Sequence, residues 1–411
     1  MDLKLNKSEV YPFNKVVITG SKSEANRILI LQALFENLEI ENLSNSDDTQ
    51  VLQKALSSED EVVDVHHAGT AMRFLTAYLA VKVNKECVLT GSSRMKERPI
   101  GVLVDALRSL GADISYKENE GFPPLLIKGK TLDINYVNLK ADVSSQYISA
   151  LLLIAPALKN GLKLTLEGEV TSIPYIKMTL SLLNELGVKT EFVDNIIKVE
   201  PKSDAVEVLR DKVFIVESDW SSASYFYSIV ALSEIGTTIE LSFYKKNSLQ
   251  GDSSLAAIYK EFGVTTKFSS NSIHLTKTDS GISDKSFNLN SSPDIAQTIV
   301  VTAFAMGLSC DLYGLHTLKI KETDRLEALK NELTKLGAKI SVTNKSLHLK
   351  QTKSIKSAVQ IETYQDHRMA MAFAPLALKT DVIIKDSEVV SKSYPEFWND
   401  LKLLGIQINK I

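Results

Sequence analysis

The sequence is poor in cysteine, in long apolar runs and in any excess of one charge. Only Cys87 and Cys310 occur, far apart and each in apolar surroundings. They make no metal-like pair, and no grouping of His, Cys, Asp and Glu has zinc spacing. Two buried free thiols are expected, with a single bridge as the alternative. The N-terminal Met1-Asp2-Leu3-Lys4 opens no apolar run, and no later stretch has the length and apolarity of a membrane span. A soluble protein in a reducing, cytoplasmic setting is the expectation. Lys and Arg number 47 against 50 Asp and Glu, a net charge of −3. That balance does not suggest a nucleic-acid or other polyanion binder, so an anion site must concentrate its cations locally. Neither a Walker loop nor a dinucleotide fingerprint is present. The chemistry is expected to need no metal and no cofactor.

What is present suits two ordinary domains with real cores: 411 residues, 44% of them hydrophobic and 24% charged. One pattern recurs, an apolar-periodic helix ending in Leu-Gly or Phe-Gly and then a short alternating strand. It occurs at Leu110-Gly111, Leu186-Gly187, Phe262-Gly263, Leu336-Gly337 and Leu404-Gly405, with the glycines 76, 76, 74 and 68 residues apart. Glycine there suits a left-handed C-cap. The spacing is too long for a solenoid and suits a copied unit of about two helices and several strands. Further helices, at 148–158, 223–232 and 298–308, are apolar nearly all round, which implies burial on most sides. Helices inside and sheets outside satisfy both patterns. No Pro- or Ser-rich linker is found, and the domain junction is expected near Val216-Glu217-Ser218-Asp219.

Cations and hydroxyls gather where strands hand over to helices. Gly20-Ser21-Lys22-Ser23-Glu24-Ala25-Asn26-Arg27 puts Lys22 at a helix N-terminus, which favours anions, with Ser23 and Arg27 on one face. Gly69, in Ala68-Gly69-Thr70-Ala71-Met72-Arg73, permits close backbone approach. Arg94-Met95-Lys96-Glu97-Arg98-Pro99 reads as a basic loop, because proline bars a helix interior. Arginine's planar fork suits carboxylate and phosphate. Ser144-Ser145-Gln146 and Ser172-Ile173-Pro174-Tyr175 open helices. Ser292-Pro293-Asp294 precedes another, where Asp294 is a cap or a base. Lys321-Glu322-Thr323-Asp324-Arg325 reads as a helix start that sets Lys321 and Arg325 on one face. Asp366-His367-Arg368 starts one more, and Lys392 lies in Val390-Ser391-Lys392-Ser393-Tyr394-Pro395. Each stretch alone equally fits a capped helix or a solvated basic surface. Together they read as a site for several phosphates and carboxylates, with Asp294 and Glu322 its few acids.

Six of these stretches, Lys22-Ser23 with Arg27, 68–73, 94–99, Ser144-Ser145-Gln146, 321–325 and 366–371, occur in an order that closely resembles the 5-enolpyruvylshikimate-3-phosphate synthase family, and the resemblance runs from about residue 15 to about residue 400. The resemblance implies an α/β fold of two inside-out barrels, each of three repeated units with buried helices and sheets outside. It implies one domain at 20–217 on the shikimate 3-phosphate side, and a second at 1–19 plus 218–411 that carries the proton-transfer carboxylates, the two closing on the ligands. It also implies transfer of the enolpyruvyl group of phosphoenolpyruvate to the 5-hydroxyl of shikimate 3-phosphate, with release of phosphate. That addition and elimination belongs to chorismate and aromatic amino-acid biosynthesis. A cytoplasmic monomer that binds neither nucleic acid nor membrane is implied. By the same resemblance Lys22, Ser23, Arg27, Ser144, Ser145, Ser172, Tyr175, Asp294 and Lys321 hold shikimate 3-phosphate. Lys22, Gly69, Arg98, Gln146, Arg325, His367, Arg368 and Lys392 hold phosphoenolpyruvate, and Asp294, Glu322 and Lys22 are catalytic.

Several residues depart from the family pattern. His67 stands for an asparagine before Ala-Gly-Thr and Phe74 for a proline after it, both expected to reshape the phosphoenolpyruvate pocket. Thr317 stands for an asparagine, at the expense of one hydrogen bond to shikimate 3-phosphate, and Gln365 for an asparagine before Asp366. A short stretch at 57–65 leaves the first repeat without a hairpin. The nearest rival is the enolpyruvyl transferase acting on UDP-N-acetylglucosamine, which usually has a reactive cysteine in the loop filled here by 94–99. An RNA 3′-phosphate cyclase would need a nucleotide site. A non-catalytic relative that binds anionic ligands is opposed by intact Asp294 and Glu322.

Overall fold

The structure, a computed structural model, describes residues 1–35, 38–140, 144–168, 170, 173–202, 213–280 and 283–411. The chain divides into two compact units, a split one of Met1–Gly20 with Glu217–Ile411 and a continuous one of Ser21–Val216. Among the described residues each holds three sheets, and five of the six sheets have four strands in one order. Among Lys285–Asn288, Cys310–Tyr313, Lys339–Val342 and Ser346–Lys350, the first strand pairs parallel with the second, and the fourth lies antiparallel between second and third. The same order holds for Val62–Asp64, Glu86–Thr90, Asp113–Tyr116 and Leu125–Lys128. It holds again for Tyr136–Lys140, Leu162–Glu167, Thr190–Val193 and Ile196–Val199. A parallel pair needs a crossover, and a helix supplies it.

The N-terminus completes two sheets of the split unit. Phe13–Val16 runs parallel to Thr238–Ser242, and Leu3–Leu5 takes the fourth place between Val382–Ile384 and Ile408–Lys410. In the continuous unit the sixth sheet has two described strands, Glu39–Glu41 parallel to Val213–Ile215. There the helix Asp47–Ser57 is followed by the strand Val62–Asp64 with no hairpin between. This is the repeat expected to lack one.

The recurring glycines do what their spacing suggests. Gly111, Gly187, Gly263, Gly337 and Gly405 have φ of +101, +81, +77, +105 and +106. After four of them the next amide turns back, Ala112 to Leu107 O, Val188 to Leu183 O, Ala338 to Leu333 O and Ile406 to Leu401 O. These bonds satisfy carbonyls that a helix end leaves open. The helix Asp47–Ser57 has no such glycine and leaves directly in extended backbone at Ser58.

The helices at the centre of each unit are buried nearly all round. In the split unit they are Trp220–Leu232, Ala296–Ala305 and His367–Phe373, and in the continuous unit Gly69–Val81 and Ser145–Ile154. The last is shorter than the sequence suggested, because Pro156 converts its end to a 3-10 turn, Ala155–Ala157. Strands such as Tyr136–Lys140 and Leu162–Glu167 alternate buried and open residues, so each sheet covers helices with one face and meets solvent with the other. Hydroxyls on the split unit's inner helices pair with one another: Thr302 Oγ1 donates to Ser228 Oγ at 2.8 Å, and Ser224 Oγ meets Thr298 Oγ1 at 2.9 Å. Cys87 and Cys310 are buried free thiols, and burial pushes the Cys310 thiol up to about 12. Among the described residues, no helix is long and apolar enough to cross a membrane.

Candidate active site

In the split unit one buried arginine gathers the acids. Arg325, 1% exposed, donates from Nη1 to Asp294 Oδ1 at 2.8 Å, from Nη2 to Glu322 Oε2 at 2.7 Å, and from Nε to Asp366 Oδ2 at 2.6 Å. Two more cations approach the same Asp294: Lys321 Nζ lies 3.3 Å from Oδ1, and Arg368 Nη2 3.5 Å from Oδ2. The backbone explains the convergence. Asp294 sits on the 3-10 turn Pro293–Ile295, ahead of the buried helix Ala296–Ala305. Asp366 caps the helix His367–Phe373 by accepting from Arg368 N.

The helix expected at Lys321 starts later. Residues 321–323 form bends after the 3-10 helix His316–Ile320, and the α-helix runs Arg325–Lys335. Asp324 causes this by accepting from Leu326 N and Glu327 N as N-cap, a role aspartate fills better than a helix interior. Lys321 and Arg325 therefore do not share a helix face. They meet through Asp294 instead.

The electrostatics follow from this packing. Burial would raise the Asp294 carboxyl, but Lys321, Arg368 and Arg325 outweigh burial and hold it well below the usual carboxylate range. Burial likewise works against charge on Arg325 and Arg368, and their acids offset it, so both stay firmly protonated. Asp252 behaves oppositely. Burial first and the charge of Asp294 second push its carboxyl up to about 6. Ser221 Oγ donates to Asp252 and accepts from Arg368 Nη2 at 3.2 Å. His367 is 3% exposed, with Nδ1 3.8 Å from Asp366 Oδ1. Lys392, on the 3-10 helix Ser387–Lys392, donates to Gln365 O at 2.8 Å. Thr317 Oγ1 is buried without a hydrogen-bond partner among the described residues.

The continuous unit holds a second cationic set. The helix Lys22–Leu34 begins at Lys22, whose Nζ lies 3.8 Å from Asp48 Oδ2. Arg27, 3% exposed, donates to Ser23 O at 2.7 Å, Ser149 Oγ at 2.8 Å and Thr179 Oγ1 at 2.9 Å. Burial lowers its guanidinium to about 10. Phe74 and Tyr175 flank that guanidinium, with centroids at 5.4 and 5.6 Å. Phe74 thus packs against the arginine expected to hold shikimate 3-phosphate. His67 is exposed and meets Ser92 Oγ at 2.8 Å.

The basic stretch 94–99 is not all loop. Ser92 caps a single turn, Ser93–Lys96, which ends before Pro99 can interrupt it. Arg94 pairs with Glu97 and Lys96 with Glu118. Arg98 has no acidic partner among the described residues, and its guanidinium lies against Gly69, where an added Cβ would stand 2.5 Å from Nη1. Ser144 caps the helix Ser145–Ile154, and Gln146 Nε2 donates to Thr70 Oγ1 at 3.2 Å. Ser172 lies outside the described residues.

Sequence reasoning missed several supporting groups. Buried Arg73 donates to Pro99 O at 3.2 Å, and Tyr147 to the same carbonyl at 2.6 Å, so together they suspend the loop that carries Arg98. Ser149 and Thr179 seat Arg27, and Asp366 seats Arg325. A buried-face hydroxyl within each helix was the only available signal for the serine and threonine.

A family model described as EPSP synthase (3-phosphoshikimate 1-carboxyvinyltransferase) matches residues 50–401. The 3-phosphoshikimate 1-carboxyvinyltransferase of Bacteroides fragilis (strain YCH46) is 46% identical over 398 residues, 96% of this chain and 95% of its own. That of Haemophilus influenzae (strain ATCC 51907) is 36% identical over 425 residues, 95% of this chain and 96% of its own. A solved EPSP synthase structure from Acinetobacter baumannii superposes with a TM-score of 0.81 at 20% identity, covering 100% of both chains, which gives the two-domain inside-out barrel as the fold. The chain belongs to the EPSP synthase family.

Proposed function

We infer that this chain transfers the enolpyruvyl group of phosphoenolpyruvate to the 5-hydroxyl of shikimate 3-phosphate and releases phosphate. The observation that carries the reading is the cluster on Arg325, two acids held at 2.8 and 2.7 Å with further cations beside them. Joining the two substrates requires a proton on the vinyl carbon and the loss of one from the hydroxyl, and it brings several anionic groups together. Acids handle the protons and cations hold the anions.

In this reading Lys22, Ser23, Arg27, Ser144, Ser145, Ser172, Tyr175, Lys321 and Asp294 bind shikimate 3-phosphate. Lys22, Gly69, Arg98, Gln146, Arg325, His367, Arg368 and Lys392 bind phosphoenolpyruvate. Asp294, kept ionised by its cations, accepts the hydroxyl proton while the oxygen bonds to the central carbon of phosphoenolpyruvate. Glu322, which enters the cycle carrying a proton, delivers it to the vinyl carbon and is left as the carboxylate. In the second step the carbon–oxygen bond to phosphate breaks, Glu322 recovers the methyl proton, and Asp294 returns its own to the departing phosphate. The enzyme works in the cytoplasm as a monomer, without nucleic acid or membrane. A net charge of −3 and two buried thiols fit that setting.

The test is release of inorganic phosphate from phosphoenolpyruvate. Release is expected only with shikimate 3-phosphate present. Release with UDP-N-acetylglucosamine instead, or none from folded protein, overturns the reading. The Arg98 assignment has its own test. A Cβ at Gly69 must displace the Arg98 guanidinium, since 2.5 Å is below any ordinary contact. Gly69→Ala is expected to raise KM for phosphoenolpyruvate about tenfold, equivalent to about 1.4 kcal/mol, and to leave KM for shikimate 3-phosphate unchanged in initial-rate measurements.

A further inference from the structure

The segment ahead of Asp366 is held in an unfavourable shape. Tyr364 and Gln365 are consecutive residues in the left-handed region, at φ +54 and +56. Neither has glycine's freedom or asparagine's ease there. Such a turn persists only where its surroundings over-determine it. Here the helix Arg325–Lys335 grips both sides of the turn. At one side Arg325 holds Asp366. At the other stands Glu332, seven residues further along the helix and 0% exposed. Its Oε1 accepts from Tyr364 Oη at 2.7 Å, and its Oε2 accepts from Glu362 N at 3.1 Å and Lys335 Nζ at 2.7 Å. A carboxylate so buried is kept for the donors it satisfies. Tyr364, pushed up to about 12 by burial and then by Glu332, remains a donor at working pH.

The shape of this turn sets two contacts in the cationic cluster. It aims the Gln365 carbonyl at Lys392 Nζ, 2.8 Å away. It also delivers Asp366, which holds Arg325 and caps the helix that carries Arg368. We propose that Glu332 and Tyr364 are positioning residues for the phosphoenolpyruvate-side cations Arg325, Arg368 and Lys392, acting through the Tyr364–Gln365 turn. The proposal rests on the assignment of those three cations to phosphoenolpyruvate.

The deciding variant is Tyr364→Phe, which removes one hydroxyl and leaves Glu332 its two other donors. Glu332→Gln is the second variant, and Lys392→Met tests the assignment itself. KM for each substrate, kcat and Tm are measured for all three. Tyr364→Phe is expected to raise KM for phosphoenolpyruvate about fivefold to tenfold, the worth of about one hydrogen bond. KM for shikimate 3-phosphate should stay within about twofold. If Lys392→Met raises KM for phosphoenolpyruvate while Tyr364→Phe lowers only Tm, the clamp is purely structural and the proposal fails alone. If neither variant moves that KM, the assignment of the cations fails and takes the proposal with it. Should Glu332→Gln not fold, the comparison of Tyr364→Phe with Lys392→Met decides.

Discussion

Replacing Glu322 by glutamine is expected to lower kcat by about 10²–10⁴-fold, the usual contribution of a positioned acid or base, with little change in stability. The side chain is 38% exposed, so the substitution buries no new polar group. The amide oxygen can still accept from Arg325 Nη2, which now meets the carboxylate at 2.7 Å. Under the proposed function, what the variant loses is the capacity to give a proton to the vinyl carbon and take one back. Single-turnover and steady-state phosphate release, beside unfolding by urea, check both halves. Asp294→Asn is a less clean probe. Asp294 anchors Lys321, Arg325 and Arg368, so its loss disturbs binding and rate together. A decline of less than about tenfold in Glu322→Gln would move the proton transfer to Lys22 or Asp294.

How far the sequence reaches is visible in this cluster. Lys321, Glu322 and Arg325 lie within five residues, and their charges alone mark a candidate site. Their other partners, Asp294 and Asp366, lie 31 and 41 residues from Arg325. No local pattern announces that both carboxylates reach one guanidinium. Only the packing of the helices that follow them brings them there. The late helix start is legible in principle, because Asp324-Arg325-Leu326-Glu327 has the form of a capping box, whereas the four-residue spacing of Lys321 and Arg325 suggests an earlier one. The glycine junctions were legible because positive φ at a helix end is a local steric demand. The inner helices were legible because an all-round apolar helix has no solvent face to offer. Seats such as Ser149 and Thr179 for Arg27 were not, since one hydroxyl in a buried helix usually bonds its own backbone. The match to a solved structure at 20% identity fits this division. Period and cap survive substitution, whereas particular pairings must be seen in three dimensions.

Removing Arg325 should do the most damage to stability. Arg325→Met keeps much of the volume but leaves Asp294, Glu322 and Asp366 without the cation that bridges them. Stripping one partner from a buried ion cluster costs about 3–5 kcal/mol, because the remaining charges stay desolvated. Both tryptophans, Trp220 and Trp398, lie in the split unit with the cluster, so their fluorescence during urea unfolding reports on it. The pH dependence separates charge from packing. In the natural protein Asp294 titrates well below its usual range. Its contribution to stability is therefore full above the unfolded value of about 3.9 and is lost as pH falls through the lowered folded value. In the variant the carboxylates repel one another, and protonation relieves them as the pH drops. The deficit should be largest near pH ~7 and shrink toward pH ~4, as the folded variant takes up protons that the natural protein does not. A deficit of the same size at both pH values would mean that Arg325 matters for the space it fills, and the account of the cluster as a charge assembly would have to be given up.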